Sequence, residues 1–325
     1  MDTLYIVEQS AVVRRASQSL LVCRGKQVLG RASMLSLKRL VIFGSVQITT
    51  QALQGLLDEG IDVSFLRVNG KLRGRLVAAE SKNNLLRLAQ YERIIDQNYV
   101  LAVAKNIVSG KLSNYRRLLL RFQRNHQMDF TELQQALERI LHELPGKKSL
   151  ASLLGCEGQG SSVYFKAFSQ MIRGDMNFTT RNRRPPKDPV NALLSLTYMM
   201  LMNELYGQVV SLGLDPYLGF LHGVVYGRPS LVLDLLEEFR PVIADRLVLM
   251  ACNNQIFQSN DFKVMDNQGV YLQDEALKTF LSLYEKTMRT ETNQLTPRKR
   301  LHTQAKAMSR AIVEGHIYQP GLARM

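Results

Sequence analysis

Residues 61–101, IDVSFLRVNGKLRGRLVAAESKNNLLRLAQYERIIDQNYVL, change their hydrophobic period part-way, and that change decides the fold. Ile61, Val63 and Phe65 alternate with Asp62 and Ser64, the two-residue period of a strand with one buried face. Asn69-Gly70 then separates VSFLRV from KLRGRLV and predicts a hairpin, because a type I′ turn needs positive φ at both central residues. Near Asn83-Asn84 the apolar residues move to helical spacing, at Leu85, Leu88 and Ala89, then Ile94, Ile95 and Leu101. The expectation is an α+β protein: a small N-terminal β-rich domain over residues 1–82, followed by an all-helical C-terminal domain over residues 83–325.

Upstream of the change, LYIV, SLLVC, LVIF and VQIT are short apolar or alternating runs bounded by glycine or polar residues, and they read as further strands. One helix is expected among them, capped by Thr50, running over Gln51–Glu59 and closed by Gly60 in the left-handed conformation. Downstream, Gln97–Met128 contains Lys105, Lys111, Arg116, Arg117, Arg121 and Arg124 and no acid. On a helix, Arg117, Arg121 and Arg124 form a stripe suited to tracking a phosphate backbone; a solvated face usually mixes the two signs. A second acid-free window, Thr292–Val313, carries Arg298, Lys299, Arg300, Lys306 and Arg310. The loop NFTTRNRRPPKDP, residues 177–189, adds Arg181, Arg183, Arg184 and Lys187 as candidate phosphate contacts.

Two stretches place acids where acids are costly. In GFLHGVVYGRPSLVLDLLEEFRP, residues 219–241, a helix beginning near Ser230 puts Asp234 and Glu237 on one face, with Glu238 one turn from Asp234 and His222 just ahead. Carboxylates among Leu231, Val232, Leu233, Leu235 and Leu236 need a cationic partner, either a divalent metal or Arg228, Arg240 or Arg246. Pro241 is expected to kink or break that helix. In SLASLLGCEGQGSSVYFKAFSQMI, residues 149–172, Glu157 lies between Gly155 and Gly158. It is either a carboxylate presented into a pocket or a loop glutamate between two helices. Each glycine costs a helix roughly 1 kcal/mol unless close backbone approach is wanted there.

The chain has 325 residues, 46% of them hydrophobic, and a net charge of +14, which favours a polyanionic partner such as nucleic acid. No membrane is expected: no apolar run reaches the about 18 residues of a span, MDTLYIVEQS is no leader, and no lipidation signal stands at either end. The expected location is the cytoplasm. Cys23, Cys156 and Cys252 are too scattered for a disulfide framework or a zinc knuckle and are expected as reduced, mostly buried thiols.

Several ordered motifs, GCEGQGSSVYF at 155–165, RNRRPPKDPVNALLSLTY at 181–198, GFLHG at 219–223, RPSLVLDLLEEFRP at 228–241 and YQPGLAR at 318–324, together resemble the CRISPR-associated integrase family of spacer acquisition, the universal first protein of those systems. FGSVQITTQALQGLLDEGIDVSFL at 43–66 and NGKLRGRL at 69–76 look like that family's β-domain. The resemblance implies a homodimer that binds the second CRISPR-associated protein and inserts short DNA fragments as new spacers by attack of a DNA 3′-hydroxyl on a phosphodiester. It assigns a metal, Mg²⁺ or Mn²⁺, to Glu157, His222 and Glu237, with Asp234 in support. Because an aspartate stands at the third position in some relatives, Glu237 and Glu238 remain alternatives for the acid that reaches the metal. Two carboxylates and one imidazole leave coordination positions open, which suits catalysis better than a closed structural zinc. Two other readings compete: a non-catalytic basic nucleic-acid scaffold whose acids merely neutralise arginines, and a free-standing structure-selective repair nuclease.

Overall fold

A computed structural model describes residues 2–77, 83–173, 176–266, 268–292 and 294–322. The strand-rich part runs β1 (Thr3–Ile6), β2 (Val12–Ala16), β3 (Ser19–Arg24), β4 (Gln27–Ser33), β5 (Arg39–Phe43), β6 (Gln47–Ile48), helix α1 (Thr50–Asp58), β7 (Asp62–Leu66) and β8 (Leu72–Leu76). These strands form two four-stranded sheets, in the orders β1-β5-β7-β8 and β4-β3-β2-β6. The first is parallel from β1 to β7 and closes with the antiparallel β7-β8 hairpin. Val13, Leu20 and Val22 from one sheet share a core with Ile6, Leu40, Ile42 and Val63 from the other, and Ala52 and Leu56 of α1 complete it.

Two local expectations shift. Thr49, not Thr50, caps α1: its hydroxyl accepts from Ala52 N at 3.3 Å, while Gly60 does take positive φ (62°) beyond the helix. The Asn69-Gly70 turn is not type I′, because only Gly70 has positive φ. Gly70 N–H donates to Arg67 O (2.8 Å) and Arg67 N–H to Lys71 O (2.7 Å), a three-residue loop with a left-handed glycine at its end. Asn69 instead accepts from Lys71 N through its side chain, the local bond that makes asparagine a turn residue without positive φ.

The helical part comprises α2 (Asn84–Ile95), α3 (Gln97–His126), α4 (Thr131–Glu143), α5 (Leu150–Met171), α6 (Pro189–Leu212), α7 (Ser230–Phe239) and α8 (Arg246–Asn253). It continues through an antiparallel ribbon, β9 (Phe262–Val264) and β10 (Val270–Leu272), to α9 (Asp274–Arg289) and α10 (Pro297–Glu314). The ribbon is a small departure from an all-helical domain. By compactness the chain divides into Met1–Glu80 with Asp274–Glu285, and Ser81–Gln273 with Lys286–Met325. Asp274–Glu285 goes with the strands because Lys278 meets Glu8 at 2.6 Å and the Tyr5 hydroxyl donates to Glu285 at 3.1 Å.

The second unit is arranged around α3, which α4, α5 and α7 flank. Its buried seam reads Ile107, Val108, Lys111, Leu112, Tyr115, Leu118, Leu119 and Phe122, the three-and-four spacing of a core face with one lysine in it. The glycines of α5 do not act where expected. A Cβ at Gly155 or Gly158 meets open space, whereas one at Gly160 would stand 2.3 Å from Leu112, so Gly160 is the residue that lets α5 approach α3. Helix α5 runs unbroken through all three, which puts Glu157 on a helix and not in a loop. The helix begun at Ser230 does not end at Pro241: it widens into a π turn over Arg240–Asp245 and resumes as α8. Proline supplies no N–H to an i→i−4 bond, and a π turn is one way a helix passes such a residue. On α2 the apolar spacing marks a helix but not its buried face, for Leu85, Leu88 and Ile95 are exposed and Leu86 is buried.

Candidate catalytic site

Glu157 on α5 and Glu237 on α7 come together across α3. Lys111 stands between them, its ammonium in contact with Glu157 Oε1 and 2.6 Å from Glu237 Oε2. Arg240, one turn beyond Glu237, reaches Glu237 Oε1 at 3.2 Å. His222 Nε2 lies 3.9 Å from that same oxygen. Burial pushes the Glu237 carboxyl up, but Arg240, Lys111 and His222 outweigh it and hold it down at about 2. Arg228 serves a different purpose from pairing with an acid: it donates to the carbonyl of His222 and closes the base of the loop.

Asp234 orients the histidine. Its Oδ1 is 2.7 Å from His222 Nδ1 and accepts from His222 N at 3.0 Å, while Oδ2 accepts from Phe220 N and Leu221 N. In the neutral tautomer that donates Nδ1–H to the carboxylate, the lone pair of Nε2 falls on the side of Glu237, the arrangement that carboxylates impose on metal-binding histidines. Glu238 points to another side of α7, about 100° round the helix, where it accepts from the Tyr318 hydroxyl and from Gly321 N. The structure thus gathers Glu157, His222, Asp234 and Glu237, and turns Glu238 away. Of the YQPGLAR stretch, Ala323 and Arg324 lie outside the described residues.

Behind the acids is a polar network that the sequence did not reveal. Asp245, wholly buried, accepts from Tyr164 (2.8 Å) and Tyr198 (2.6 Å). The Tyr198 ring lies under Arg240 at 4.9 Å, and Tyr164 stacks on Tyr115 at 3.7 Å, whose ring is 5.6 Å from the Lys111 ammonium. Burial raises the Asp245 carboxyl to about 6 in spite of its two tyrosine hydrogen bonds. The π turn matters here. Arg240 and Asp245 are five residues apart, on different faces of an α-helix but close to one face of the wider turn, so both meet Tyr198.

Among the described residues no three His, Cys, Asp or Glu side chains stand in metal-holding geometry. At this site the space between the two glutamates is taken by Lys111. The donor chemistry nevertheless fits a divalent cation: Glu157 and Glu237 already converge on one positive charge. Glu237 Oε2, although 2.6 Å from Lys111, is buried without a well-directed hydrogen bond. The imidazole beside them is carboxylate-oriented.

The arginines divide between surface and interior. Arg121 and Arg124 are exposed and Arg117 is half-buried on α3. Arg121 and Arg300 both depress the Arg246 guanidinium after burial has done so, which puts three cations close together. Arg183 and Arg184 are exposed. Arg181 departs from its expected role as a phosphate contact: its guanidinium is bonded to Asn182 O, Asn191 Oδ1 and Ser195 Oγ and lies over Tyr198, so it builds the loop. Arg298 likewise forms a two-pronged pair with buried Glu204, at 3.0 Å on each prong. Lys111, read from sequence only as one cation of an acid-free window, had a signal of its own: it falls on the apolar seam of α3, where a lysine needs acids to meet it.

Fold and site define a class: a strand-rich unit and a helical unit, the latter carrying an acid–histidine centre and exposed arginines. The family described as CRISPR associated protein Cas1 matches residues 4–286, and the chain belongs to that family. A CRISPR-associated endonuclease Cas1 of Rhodospirillum rubrum is 35% identical over 303 residues, 90% of this chain and 87% of that protein. One from Thermus thermophilus is 36% identical over 291 residues, 88% and 84%. A Cas4/Cas1 exonuclease–endonuclease fusion of Geobacter sulfurreducens is 36% identical over 322 residues, 94% of this chain; the chain spans 57% of that protein's length. A solved Cas1 protein of Thermotoga maritima shares the fold with a TM-score of 0.85 at 23% identity, covering 99% of this chain and all of that one. A casposase bound to integration product has the same fold, TM-score 0.85 at 23% identity, covering 98% and 93%. The three buried cysteines are free, and among the described residues no helix is long and apolar enough to cross a membrane.

Proposed function

We propose that the chain is a metal-dependent DNA integrase and endonuclease that joins short DNA fragments to a CRISPR array by attack of a 3′-hydroxyl on a phosphodiester. The observation that carries this is the convergence of Glu157 and Glu237 on one cation, with His222 held beside them by Asp234. Glu157, His222 and Glu237 hold Mg²⁺ or Mn²⁺, which supplies Lewis-acid activation of the phosphodiester and stabilises the leaving oxygen. Asp234 keeps the Nε2 lone pair presented. Arg240 adds fixed positive charge where negative charge develops, and Tyr198 and Asp245 keep it in place. Exposed Arg121, Arg124, Arg183 and Arg184, with half-buried Arg117, bind DNA backbone, which confers affinity without sequence preference.

The working form is a cytoplasmic homodimer joined to the second CRISPR-associated protein. The fold is shared by a chain of a Cas6-RT-Cas1–Cas2 complex (TM-score 0.86, 22% identity, 99% of this chain and 36% of that chain), and that likeness supports the partner class. The test is strand transfer of a short duplex with free 3′-hydroxyls into a repeat-bearing plasmid, with that partner protein present, in Mn²⁺, Mg²⁺ or chelator. Joining that depends on metal and is lost in Glu157→Ala is the expected result. Cut ends without joining would indicate a repair nuclease. One observation favours the scaffold reading, namely that Lys111 and Arg240 already neutralise both glutamates; DNA binding without any strand chemistry in either metal would establish it.

A further inference from the structure

The two glutamates proposed to hold a metal already have a cation between them. Lys111 is 2% exposed and is, among the described residues, the only buried lysine. Its place on the seam of α3, with α5 drawn close by Gly160, delivers its ammonium to Glu157 and Glu237 together. An ammonium on an apolar seam is costly to desolvate and is retained because two carboxylates meet it. The two carboxylates facing each other, Glu237 buried and Glu157 partly so, would in turn repel without it. Arg240 does not replace it, because Arg240 approaches Glu237 through the other oxygen, Oε1.

We infer that Lys111 is the resident counter-cation of the metal site: its ammonium holds Glu157 and Glu237 together before a divalent cation arrives, and the divalent cation takes its place between them. This rests on the metal reading of Glu157, His222 and Glu237. A metal bonded to carboxylate oxygens at roughly 2.0–2.6 Å and an ammonium on the same pair of oxygens repel each other strongly in a buried setting. They are therefore alternatives. The exchange breaks no covalent bond: the metal enters, and the ammonium leaves with its proton and its charge. Lys111 thereby sets how much metal the site needs, and keeps the acids from collapsing or pairing elsewhere while none is bound.

The test is Mn²⁺ binding without DNA, by calorimetry or by electron paramagnetic resonance of free Mn²⁺, in the full chain. Lys111→Met removes the charge at similar length, and Lys111→Gln leaves a hydrogen-bond donor there. Both are expected to bind Mn²⁺ at least about tenfold more tightly than the parent, as befits removal of a buried competing charge. Both should also melt lower in chelator and be stabilised more by added Mn²⁺ than the parent is. Unchanged or weaker binding in the two variants would overturn the inference. A crystal of the parent soaked in Mn²⁺ decides independently of how the variants fold: Lys111 Nζ should no longer touch both glutamates, and continued bridging with Mn²⁺ bound would sink the idea. Glu157→Gln and His222→Ala serve as the separate control. If they bind Mn²⁺ as the parent does, the metal reading itself is wrong; if they no longer bind it while the Lys111 variants bind no more tightly than the parent, only the inference about Lys111 is.

Discussion

Glu237 and Glu238 are neighbours on one helix, buried to the same degree at 2% and 1% exposure, and their chemistry is opposite. On the Glu237 side, burial is outweighed by Arg240, Lys111 and His222, and the carboxyl is held at about 2. On the Glu238 side burial dominates: a tyrosine hydroxyl and the Gly321 backbone N–H offset it only in part, and the carboxyl rises to about 8. Burial alone therefore does not make an acid functional. The sign of the charge around it decides whether it remains a carboxylate able to hold a metal or becomes a neutral hydrogen-bonding group that pins the C-terminal segment.

The largest expected effects fall on the Glu237 side. Glu237→Gln leaves Lys111 and Arg240 short of a buried partner and should cost about 3–5 kcal/mol in urea unfolding without metal. It should also lower strand joining by more than about a hundredfold, because a carboxylate proposed to hold the metal is gone. Glu238→Gln keeps one acceptor and one donor for Gly321 and Tyr318 and should change stability by less than about 1 kcal/mol. Equal effects in the two variants would erase the distinction between the two faces.

A second, smaller contrast lies between cations that build the interior and cations on the surface. Replacing Arg117, Arg121 and Arg124 together by glutamate should weaken binding to all duplexes alike. It should also flatten the salt dependence by roughly 0.9 in slope for each phosphate no longer neutralised. Arg181→Ala should instead lower the melting temperature, since its partners are Asn191 and Ser195 within the protein. Salt dependence that changes only with Arg181→Ala would reverse the assignment.

The smallest effect concerns Asp245, another buried acid, which accepts from two tyrosines. Its carboxyl is raised from an ordinary 3.8 to about 6, so the folded state favours its protonated form. That contribution to stability is complete below about pH 4 and is lost as pH rises through about 6. Asp245→Asn can accept from one tyrosine and donate to the other, and should remove this decline from the pH profile of the denaturation midpoint. A profile between pH 4 and 6 that is the same in parent and variant would show that Asp245 stays ionised.

The division into strands and helices was legible because it rests on period, and period survives in sequence: the alternation at Ile61–Phe65 and the helical spacing after Asn83 fix backbone type locally. Even there, the turn at Asn69-Gly70 differed in type, because asparagine satisfies a turn through its side chain as readily as through positive φ. The acids of the site were also legible, since Asp234 and Glu237 share a face by spacing alone.

What sequence determined by itself was therefore the backbone classes, the basic character, and which acids stand on apolar helices where they are costly. Beyond the local Glu237–Arg240 pair, tertiary structure decided which partner each acid meets. Lys111 and Glu157 are 46 residues apart, Glu238 and Tyr318 are 80 apart, and Tyr164 and Asp245 are 81 apart. No local pattern pairs residues at such separations. Helices packed across α3 bring them within a few ångströms, and at that range Coulomb attraction and desolvation choose between a charged carboxylate and a neutral acid.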